Sequence, residues 1–430
     1  MDDTQWLTFR KYAKRVKTFR LNLQVPRQLQ LEIVSSLQHC RKDVLPLLPN
    51  VTELEWIELS WIAPKNLGTS LFRYFASSAV TKVTLSLMRW QAYSSSELAI
   101  LANFPLFFPS VTSFTIAVVC LWDYESSREV GRMVTRWPKL RTLRTCAIAQ
   151  PEMDQLFSRG TLESLYVDYH KSSPVYTGRV PDTVREFMLV ADSPTLCTRY
   201  LDAVYASPTK FWMLISLKEQ QVKADIEGTI HLLRRRLDTS RLLSLTIQRR
   251  STGVGALIGR TLKLRQPLVS ALVEFTALRE LDLDTFCTAQ MSDTDYACLA
   301  GSLTQLRSLK LGTANPSVIQ PRLAASIGAV IMVLSHCKHL ETLHIAFDGF
   351  ISPPGTPDGK LVPSEALARQ GWGVSNKLIT KLCVGSSPIG DAAVNGIASC
   401  LKSIMPSLVQ IECKAGDEGW RSVQNILGLR

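Results

Sequence analysis

An apolar-x-x-apolar-x-apolar pattern returns fourteen times along this chain, usually a few residues after a segment with helical periodicity. Side chains alternate between the two faces of a β-strand, so the fourth and sixth positions of each copy point to the same side. One short strand of this kind cannot bury its apolar face alone, and stacked neighbours are needed to complete a core. The copies are anchored by Val16/Phe19/Leu21, Val51/Leu54/Trp56, Val80/Val83/Leu85, Val111/Phe114/Ile116, Leu140/Leu143/Thr145, Leu162/Leu165/Val167, Val184/Phe187/Leu189, Pro208/Phe211/Met213, Leu242/Leu245/Ile247, Leu278/Leu281/Leu283, Leu306/Leu309/Leu311, Leu340/Leu343/Ile345, Ile379/Leu382/Val384 and Leu408/Ile411/Cys413.

The distance between successive copies ranges from 22 to 39 residues. Spacings of roughly 20 to 29 residues are typical of leucine-rich repeats, and the longer ones leave room for a longer helix or loop. Because each repeat touches only its neighbours, one array can run through a chain of this length. The pattern therefore predicts an α/β leucine-rich-repeat solenoid, a horseshoe with parallel strands on the concave face and helices or loops on the convex face. We expect about 14 irregular repeats within residues 16–430.

Between the strands, apolar residues recur every three or four positions, which indicates amphipathic helices. At the amino terminus, Asp3 or Thr4 can cap a helix whose Trp6, Phe9 and Ala13 lie roughly on one side. We expect residues 1–15 to form a capping helix over the open end of the first repeat. The helices predicted within the array span 29–40, 94–102, 129–136, 227–237, 268–275, 323–335 and 392–404.

The fifth position of each copy lies between two core residues and therefore projects away from the core, one side chain per repeat. Three consecutive fifth positions, Tyr166, Met188 and Trp212, are large and apolar or aromatic. Exposed patches of this kind mark interfaces, and Tyr and Trp are enriched at energetic hot spots. The sequence therefore predicts a protein-binding surface on the concave face, unless a loop or a register shift in the Pro208 copy buries these side chains. The predicted partner-binding residues are Arg144, Tyr166, Met188, Val190, Trp212, Leu214 and Asp282.

Composition narrows the class of protein. Apolar residues make up 46% of the 430 residues, yet the longest apolar runs fall far short of the roughly 20 residues that span a bilayer. The amino terminus has neither a basic start nor an apolar stretch of the kind that directs secretion. Ten cysteines, among them Cys146, Cys298 and Cys413, are scattered without a C-x-x-C pair, which favours buried thiols. We expect no membrane association and a cytoplasmic or nuclear location.

The net charge of +12 is diffuse, apart from one basic cluster that contains the single acid Asp238. Two interpretations stay open for this cluster, a solvated helix face and strand exit or a patch that attracts an acidic partner. No aromatic residues interleave with it, as a stacking platform for single-stranded nucleic acid requires. Nucleic-acid binding is therefore not the expected function. The cluster comprises Arg234, Arg235, Arg236, Arg241, Arg249, Arg250, Arg260, Lys263 and Arg265.

The sequence contains only weak candidates for a nucleotide-binding, metal-binding or catalytic motif. Gly253, Gly255 and Gly259 superficially follow a dinucleotide loop, but the third glycine falls four residues after the second instead of three. His336-Cys337-x-His339 occupies a helix end before a strand, as His39-Cys40 does, so repetition explains it without a metal. The common hydrolase and nucleotide signatures are missing from the sequence. We expect no catalytic residues, no metal ligands and no cofactor.

Four segments carry a resemblance to a known family: Trp6-x-x-Phe9-x-x-Tyr12-Ala13-x-x-Val16, Leu45-Pro46-Leu47-Leu48-Pro49-Asn50-Val51, Phe107-Phe108-Pro109-Ser110-Val111 and Trp137-Pro138-Lys139-Leu140. They resemble fungal F-box/leucine-rich-repeat proteins, and the resemblance covers nearly the entire chain. It implies a repeat region that selects a protein substrate, together with an F-box that docks on the Skp1 adaptor of a cullin ubiquitin ligase. Because the repeats begin at Val16, we expect a Skp1-type adaptor to bind only if an F-box exists outside this chain.

Two functional hypotheses follow. The preferred one is a non-catalytic protein-binding scaffold that resembles the substrate-recognition part of an F-box (SCF-type) ubiquitin ligase. The alternative is a regulatory repeat protein that acts on another enzyme, similar to Ran GTPase-activating repeat proteins. Even repeats of 28 or 29 residues would favour the alternative, whereas the spacings here are uneven.

Overall fold

The computed structural model describes residues 3–22, 32, 35, 45–58, 72–87, 102–118, 124–216, 224–250, 262–264, 266–313, 323–350, 373–414 and 417–429. Two compact units make up the chain, Met1–Val190 and Ala191–Arg430. Both are α/β units in which parallel strands alternate with helices, as the pattern predicts. No helix among these residues is long and apolar enough to cross a membrane.

The first unit is built on a parallel sheet whose strands follow one another in chain order. The strands are β1 (Thr18–Asn22), β2 (Glu53–Glu58), β3 (Lys82–Leu87), β4 (Ser113–Val118), β5 (Thr142–Cys146) and β6 (Ser164–Tyr169), then, after the two-residue β7 (Gly178–Arg179) outside the sheet, β8 (Glu186–Ala191). The helices are α1 (Asp3–Ala13), α2 (Phe104–Phe107), α3 (Tyr124–Val134) and α4 (Gln150–Ser158), with a 3₁₀ turn at Phe72–Tyr74.

The second unit repeats this arrangement. After the two-residue β9 (Val204–Tyr205), its main sheet contains β10 (Lys210–Ile215), β11 (Ser244–Arg249), β13 (Glu280–Asp282), β15 (Ser308–Leu311), β16 (Thr342–Ile345), β17 (Lys381–Gly385) and β18 (Gln410–Cys413), again in chain order. A separate parallel pair is formed by β12 (Leu262–Leu264) and β14 (Cys287–Ala289). The helices are α5 (Pro194–Ala203), α6 (Ala224–Arg236), α7 (Gln266–Leu272), α8 (Asp293–Ser302), α9 (Ile327–His336), α10 (Asp391–Ile404) and α11 (Glu418–Leu427).

The core confirms the repeat register. All fourteen predicted strands are present, and the fourth position of each copy lies within its strand. Leu143, Leu281 and Leu343 stand at such positions and are fully buried, whereas Phe19 in the first copy is only half-buried. The predicted α/β leucine-rich-repeat solenoid is therefore confirmed as the fold class.

A main-chain link recurs between most pairs of successive strands. The carbonyl of the residue that precedes a strand accepts two N–H groups from the start of the next strand. Lys17 O accepts from Thr52 N at 2.8 Å and Glu53 N at 3.1 Å, and Thr209 O accepts from Leu243 N and Ser244 N in the same way. The other acceptors with this pattern are Thr52, Thr81, Thr112, Arg141, Glu163, Leu243, Arg279, Arg307 and Thr380.

The last strand of the second unit is covered by a helix. Trp420 of α11 is buried, and its indole Nε1 donates to Ser387 O at 2.7 Å. Gln424 Nε2 donates to Ile411 O of β18 at 2.6 Å. A strand at the edge of a sheet exposes backbone groups that can pair with another chain, and a covering helix blunts that tendency. Helix α11 therefore protects the edge at β18.

The amino-terminal helix is present at Asp3–Ala13, where Ala13 is buried and Leu7 and Tyr12 are exposed. Its capping role stays a prediction.

The predicted helix at 29–40, most of the one at 94–102, and the Gly253–Gly259 segment lie outside the described residues. The prediction of buried thiols is right for Cys146, whereas Cys413 is half-buried and Cys298 lies on an exposed side of helix α8.

Candidate functional site

The fifth positions of the repeats form a row of neighbouring side chains in each unit. The strand registers place Arg20, Glu55, Thr84, Thr115, Arg144 and Tyr166 side by side in the first unit. They place Trp212, Thr246, Asp282, Lys310, His344, Cys383 and Glu412 side by side in the second. We call these the first row and the second row, and we call the sheet face that carries them the open face of each unit.

Tyr166 ends the first row as a half-buried residue with a defined hydroxyl partner. Its phenol Oη donates to Glu186 Oε2 at 3.3 Å, and the same carboxylate oxygen accepts from Ser164 Oγ at 3.1 Å. Burial and the neighbouring Glu186 carboxylate raise the pKa of Tyr166. The tyrosine is thus a neutral, positioned side chain. Arg144, its neighbour in the row, is exposed.

The structure corrects the prediction for Met188 and Val190. Both were expected to be exposed, but their exposed fractions are 7% and 5%. The strand β8 is buried on both faces along most of its length: Phe187 and Leu189 fill the core side, and Met188 and Val190 are buried on the opposite side. Glu163 O accepts from the N–H groups at the start of β8, a link that continues the repeat register and aligns Met188 with Tyr166. Met188 is thus packed in the interior and is not exposed on the open face.

Trp212 is exposed, as the pattern predicts. It is 42% exposed on the open face of the second unit, while Phe211, Met213 and Ile215 of the same strand are buried in the core. Leu214 is half-buried. An exposed Trp in a strand whose other face forms core is a large apolar surface available to a partner.

Asp282 is also on this face, two strands from Trp212. It is half-buried, and its Oδ2 lies 3.4 Å from Lys310 Nζ in the next strand. Its Oδ1 accepts the N–H of Asp284 at 3.1 Å. The carboxylate is therefore held in place by its own repeat and by the following one.

A buried polar network lies beyond the end of β13. Thr313 donates to the Asp284 carboxylate through its backbone N–H at 2.5 Å and through Oγ1 at 2.8 Å. His344 Nδ1 is 2.9 Å from Asp284 Oδ2, and Thr313 Oγ1 is 3.3 Å from Cys383 Sγ. Burial acts to raise the pKa of Asp284, but the hydrogen bonds from His344 and Thr313 outweigh it and lower that pKa. The carboxylate is ionised and acts as an acceptor.

This network contains Asp, His and Cys, but its electrostatics do not suit nucleophilic catalysis. Burial raises the pKa of the Cys383 thiol, and the Asp284 carboxylate adds to the shift. A cysteine nucleophile acts as the thiolate and is normally activated by a lowered pKa. Within the described part of the chain, no group of three His, Cys, Asp or Glu side chains is arranged to hold a metal ion. The network around Asp284 therefore holds the Thr313 and His344 side chains in fixed positions.

Sequence reasoning missed Asp284 and Thr313, because both lie just beyond the strands that the repeat pattern marks. One signal was present: Asp284 stands two residues after Asp282, and residues at that spacing share a face of an extended chain.

The basic cluster is partly neutralised in the structure. Arg234 Nε lies 2.5 Å from Glu274 Oε2, and Arg236 Nη2 lies 2.7 Å from Asp202 Oδ1. The Arg236 guanidinium also stacks over the Tyr205 ring, 4.4 Å from its centroid. These two arginines belong to surface ion pairs of the helices, which fits the interpretation of a solvated helix face.

The parallel strands in chain order and the buried residues at the fourth repeat positions define a leucine-rich-repeat fold. No protein-family model matches the chain, and no curated protein matches it. Solved structures do match over most of its length. The leucine-rich-repeat-containing protein LegL7 from Legionella pneumophila is 12% identical, with 96% of this chain and 98% of that one covered and a TM-score of 0.32.

Two further solved structures are similar at the same level. The internalin InlF from Listeria monocytogenes is 10% identical, with 89% of this chain and 94% of that one covered and a TM-score of 0.32. A chain of the yeast Rad7 and Elc1 complex is 12% identical, with 95% of this chain and 94% of that one covered and a TM-score of 0.36.

Proposed function

We propose that this protein is a non-catalytic scaffold that binds a protein partner on the open face of its repeats. The observation that carries the proposal is the exposure of Trp212 on that face. A tryptophan left in contact with water forgoes the free energy that its burial would contribute, and Trp is among the residues most enriched at binding hot spots.

The rest of the second row supports a contact surface. Lys310 and His344 on neighbouring strands, and Glu412 two strands beyond His344, are half-buried polar side chains. Glu412 pairs with Lys381 at 2.6 Å, and Asp282 pairs with Lys310. Side chains fixed by such partners lose less conformational freedom when a ligand binds. A preorganised row of this kind suits recognition of an extended or folded protein surface.

In its finer form, the proposal assigns the chain to substrate recognition in an F-box (SCF-type) ubiquitin ligase. The support is the resemblance of its proline-flanked repeat entries, such as Phe108-Pro109-Ser110-Val111, to fungal F-box/leucine-rich-repeat proteins. A Skp1-type adaptor would bind only if an F-box exists outside this chain, and the protein would act in the cytoplasm or nucleus.

Affinity purification followed by mass spectrometry tests the proposal. Wild type, Trp212→Ala and Met332→Ala are each expressed with the same tag. Met332 is the matched control, because it is a large apolar residue that is 39% exposed on helix α9. We expect a set of proteins that Trp212→Ala loses and Met332→Ala retains. A partner set that is identical in all three contradicts binding through the open face.

The same experiment tests the ubiquitin-ligase assignment. Cullin, or an adaptor that bridges to it, is expected among the proteins recovered when the full gene product is used as bait. Recovery of Trp212-dependent partners without any ligase component would retain the scaffold and remove the ligase role.

A further inference from the structure

Three neighbouring strands of the second unit place Trp212, Thr246 and Asp282 side by side on the open face, and we call the position over Thr246 the slot. The register aligns Trp212 of β10 with Thr246 of β11 and Thr246 with Asp282 of β13. Adjacent strands lie about 4.8 Å apart, so the bases of the Trp and Asp side chains are separated by roughly 10 Å. Thr246 between them is small. A partner side chain that sits over Thr246 therefore has an indole on one side and a carboxylate on the other.

A second carboxylate lies beside this slot. Glu280 stands two residues before Asp282 on the same face of β13 and is exposed. Its Oε2 accepts from Ser244 Oγ at 2.8 Å, so the carboxylate leans toward β11. Lys210 occupies the matching position of β10, in register with Ser244. At the level of Thr246, by contrast, the register places Trp212 on one side and Asp282 on the other.

We infer that this slot takes an arginine side chain from a protein partner. A guanidinium plane stacks on an indole face, where the ring quadrupole attracts a cation. Its N–H groups can at the same time bond to the carboxylates of Asp282 and Glu280 in a planar fork. The inference rests on the proposed function, since it names the chemistry of the partner that binds this face.

Charge and solvation argue against other occupants of the slot. Asp282 pairs with Lys310 of β15, on the side away from Thr246, whereas Glu280 is exposed on the side toward β11. A glutamate or aspartate over Thr246 would be repelled by both carboxylates. A purely apolar side chain would take water from the exposed Glu280 carboxylate without offering it a donor, which is costly. A lysine could pair with a carboxylate, but its ammonium lacks the planar fork that matches both groups. Arginine satisfies the ring and the carboxylates together.

Selection from a random peptide library displayed on phage tests the inference on the full chain. The baits are wild type, Trp212→Ala, the double variant Glu280→Gln/Asp282→Asn, and Glu418→Gln as a control that removes an exposed carboxylate from helix α11. Thermal melting checks first that each bait is folded. We expect arginine to be enriched in peptides from wild type and from Glu418→Gln, and this enrichment to disappear with the double variant.

Titration of the best peptide gives the quantitative measurement. Replacing its enriched arginine by glutamine should weaken binding to wild type by roughly tenfold or more, which corresponds to about 1.4 kcal/mol. The same replacement should weaken binding to Trp212→Ala by a smaller factor, since the carboxylates of Asp282 and Glu280 remain but the stacking partner is gone. Replacing the arginine by lysine should recover only part of the affinity.

The outcomes separate this inference from the proposed function. Peptides that depend on Trp212 but carry no enriched arginine would retain the binding face and overturn the arginine slot. Arginine enrichment that survives in the double variant would also overturn it. Failure to recover any Trp212-dependent peptide would count against both.

Discussion

His344 Nδ1 lies 2.9 Å from Asp284 Oδ2, although the two residues are 60 positions apart in sequence. The aspartate follows β13 and the histidine stands in β16, with β15 between them. An ionised carboxylate can accept hydrogen bonds but cannot donate them. The imidazole must therefore carry a proton on Nδ1 at this contact. One buried carboxylate thus fixes the tautomer of a side chain in the second row and links consecutive repeats.

Replacing Asp284 by asparagine should destabilise the protein by about 1.5–3 kcal/mol at neutral pH, the range for hydrogen bonds to charged groups. The pKa of Asp284 is lowered in the folded state. Its contribution is therefore fully present above the ordinary carboxyl value of 3.8 and is lost as the pH falls through the lowered pKa.

Denaturant unfolding of wild type and Asp284→Asn across pH checks this prediction. The gap between them should be widest near neutral pH and should narrow in acid below the ordinary carboxyl value. Thr313→Val, which removes the hydroxyl donor, should show a smaller gap of the same sign. A gap that is constant with pH would mean that the carboxylate charge plays no part.

Leucines at the fourth repeat position should be costly to truncate. Leu143→Ala in the first unit and Leu281→Ala or Leu343→Ala in the second each remove a fully buried side chain, which typically costs about 2–5 kcal/mol. Thr246→Ala on the open face of β11 should cost little, because its side chain is half-buried. Equal melting temperatures for the two classes would show that the register is wrong.

Trp212→Ala should weaken a protein partner by about 2 kcal/mol or more while leaving thermal stability nearly unchanged. Met188→Ala should behave in the opposite way, because this side chain is buried and its loss leaves a cavity. Measuring the melting temperature beside the partner's Kd for both variants decides the matter. A large fall in melting temperature for Trp212→Ala would remove Trp212 from the binding surface.

Gly385→Ala should be strongly destabilising. This glycine has a φ of +58°, and an added Cβ would lie 2.6 Å from Thr313 O. Both the left-handed backbone and the close approach exclude a side chain. Gly228→Ala in helix α6 is the matched control, since nothing lies within 4 Å of its added Cβ. That variant should gain up to about 1 kcal/mol of stability from helix propensity, as thermal melting would show.

The strands could be predicted because one short pattern recurs and because its period of two sorts side chains to opposite faces. The same reasoning correctly ordered the side chains from Arg20 to Tyr166 and from Trp212 to Glu412. It failed for Met188 and Val190, since alternation says which face a residue is on but not whether neighbouring residues cover that face.

Other features were invisible for physical reasons that differ from case to case. Helices α4 and α5 are short and begin with proline in the first turn, so few periodic positions remain to reveal them. The contact between Asp284 and His344 joins residues far apart in the chain, and no local pattern encodes such a pairing. The exposure of Trp212 was predicted by position, whereas the slot over Thr246 required the strand register.

Between most successive strands, the carbonyl before one strand accepts two N–H groups of the next, and this has a consequence for how the sequence can vary. Residues such as Lys17, Thr112 and Arg279 accept these bonds through their main chain, and their side chains differ widely in chemistry. Strand alignment within each unit thus depends neither on which side chains occupy the rows nor on how many residues separate two strands. Within either unit, single substitutions can therefore change the side chains of the open face, and insertions can lengthen a connection, while the strand register is kept.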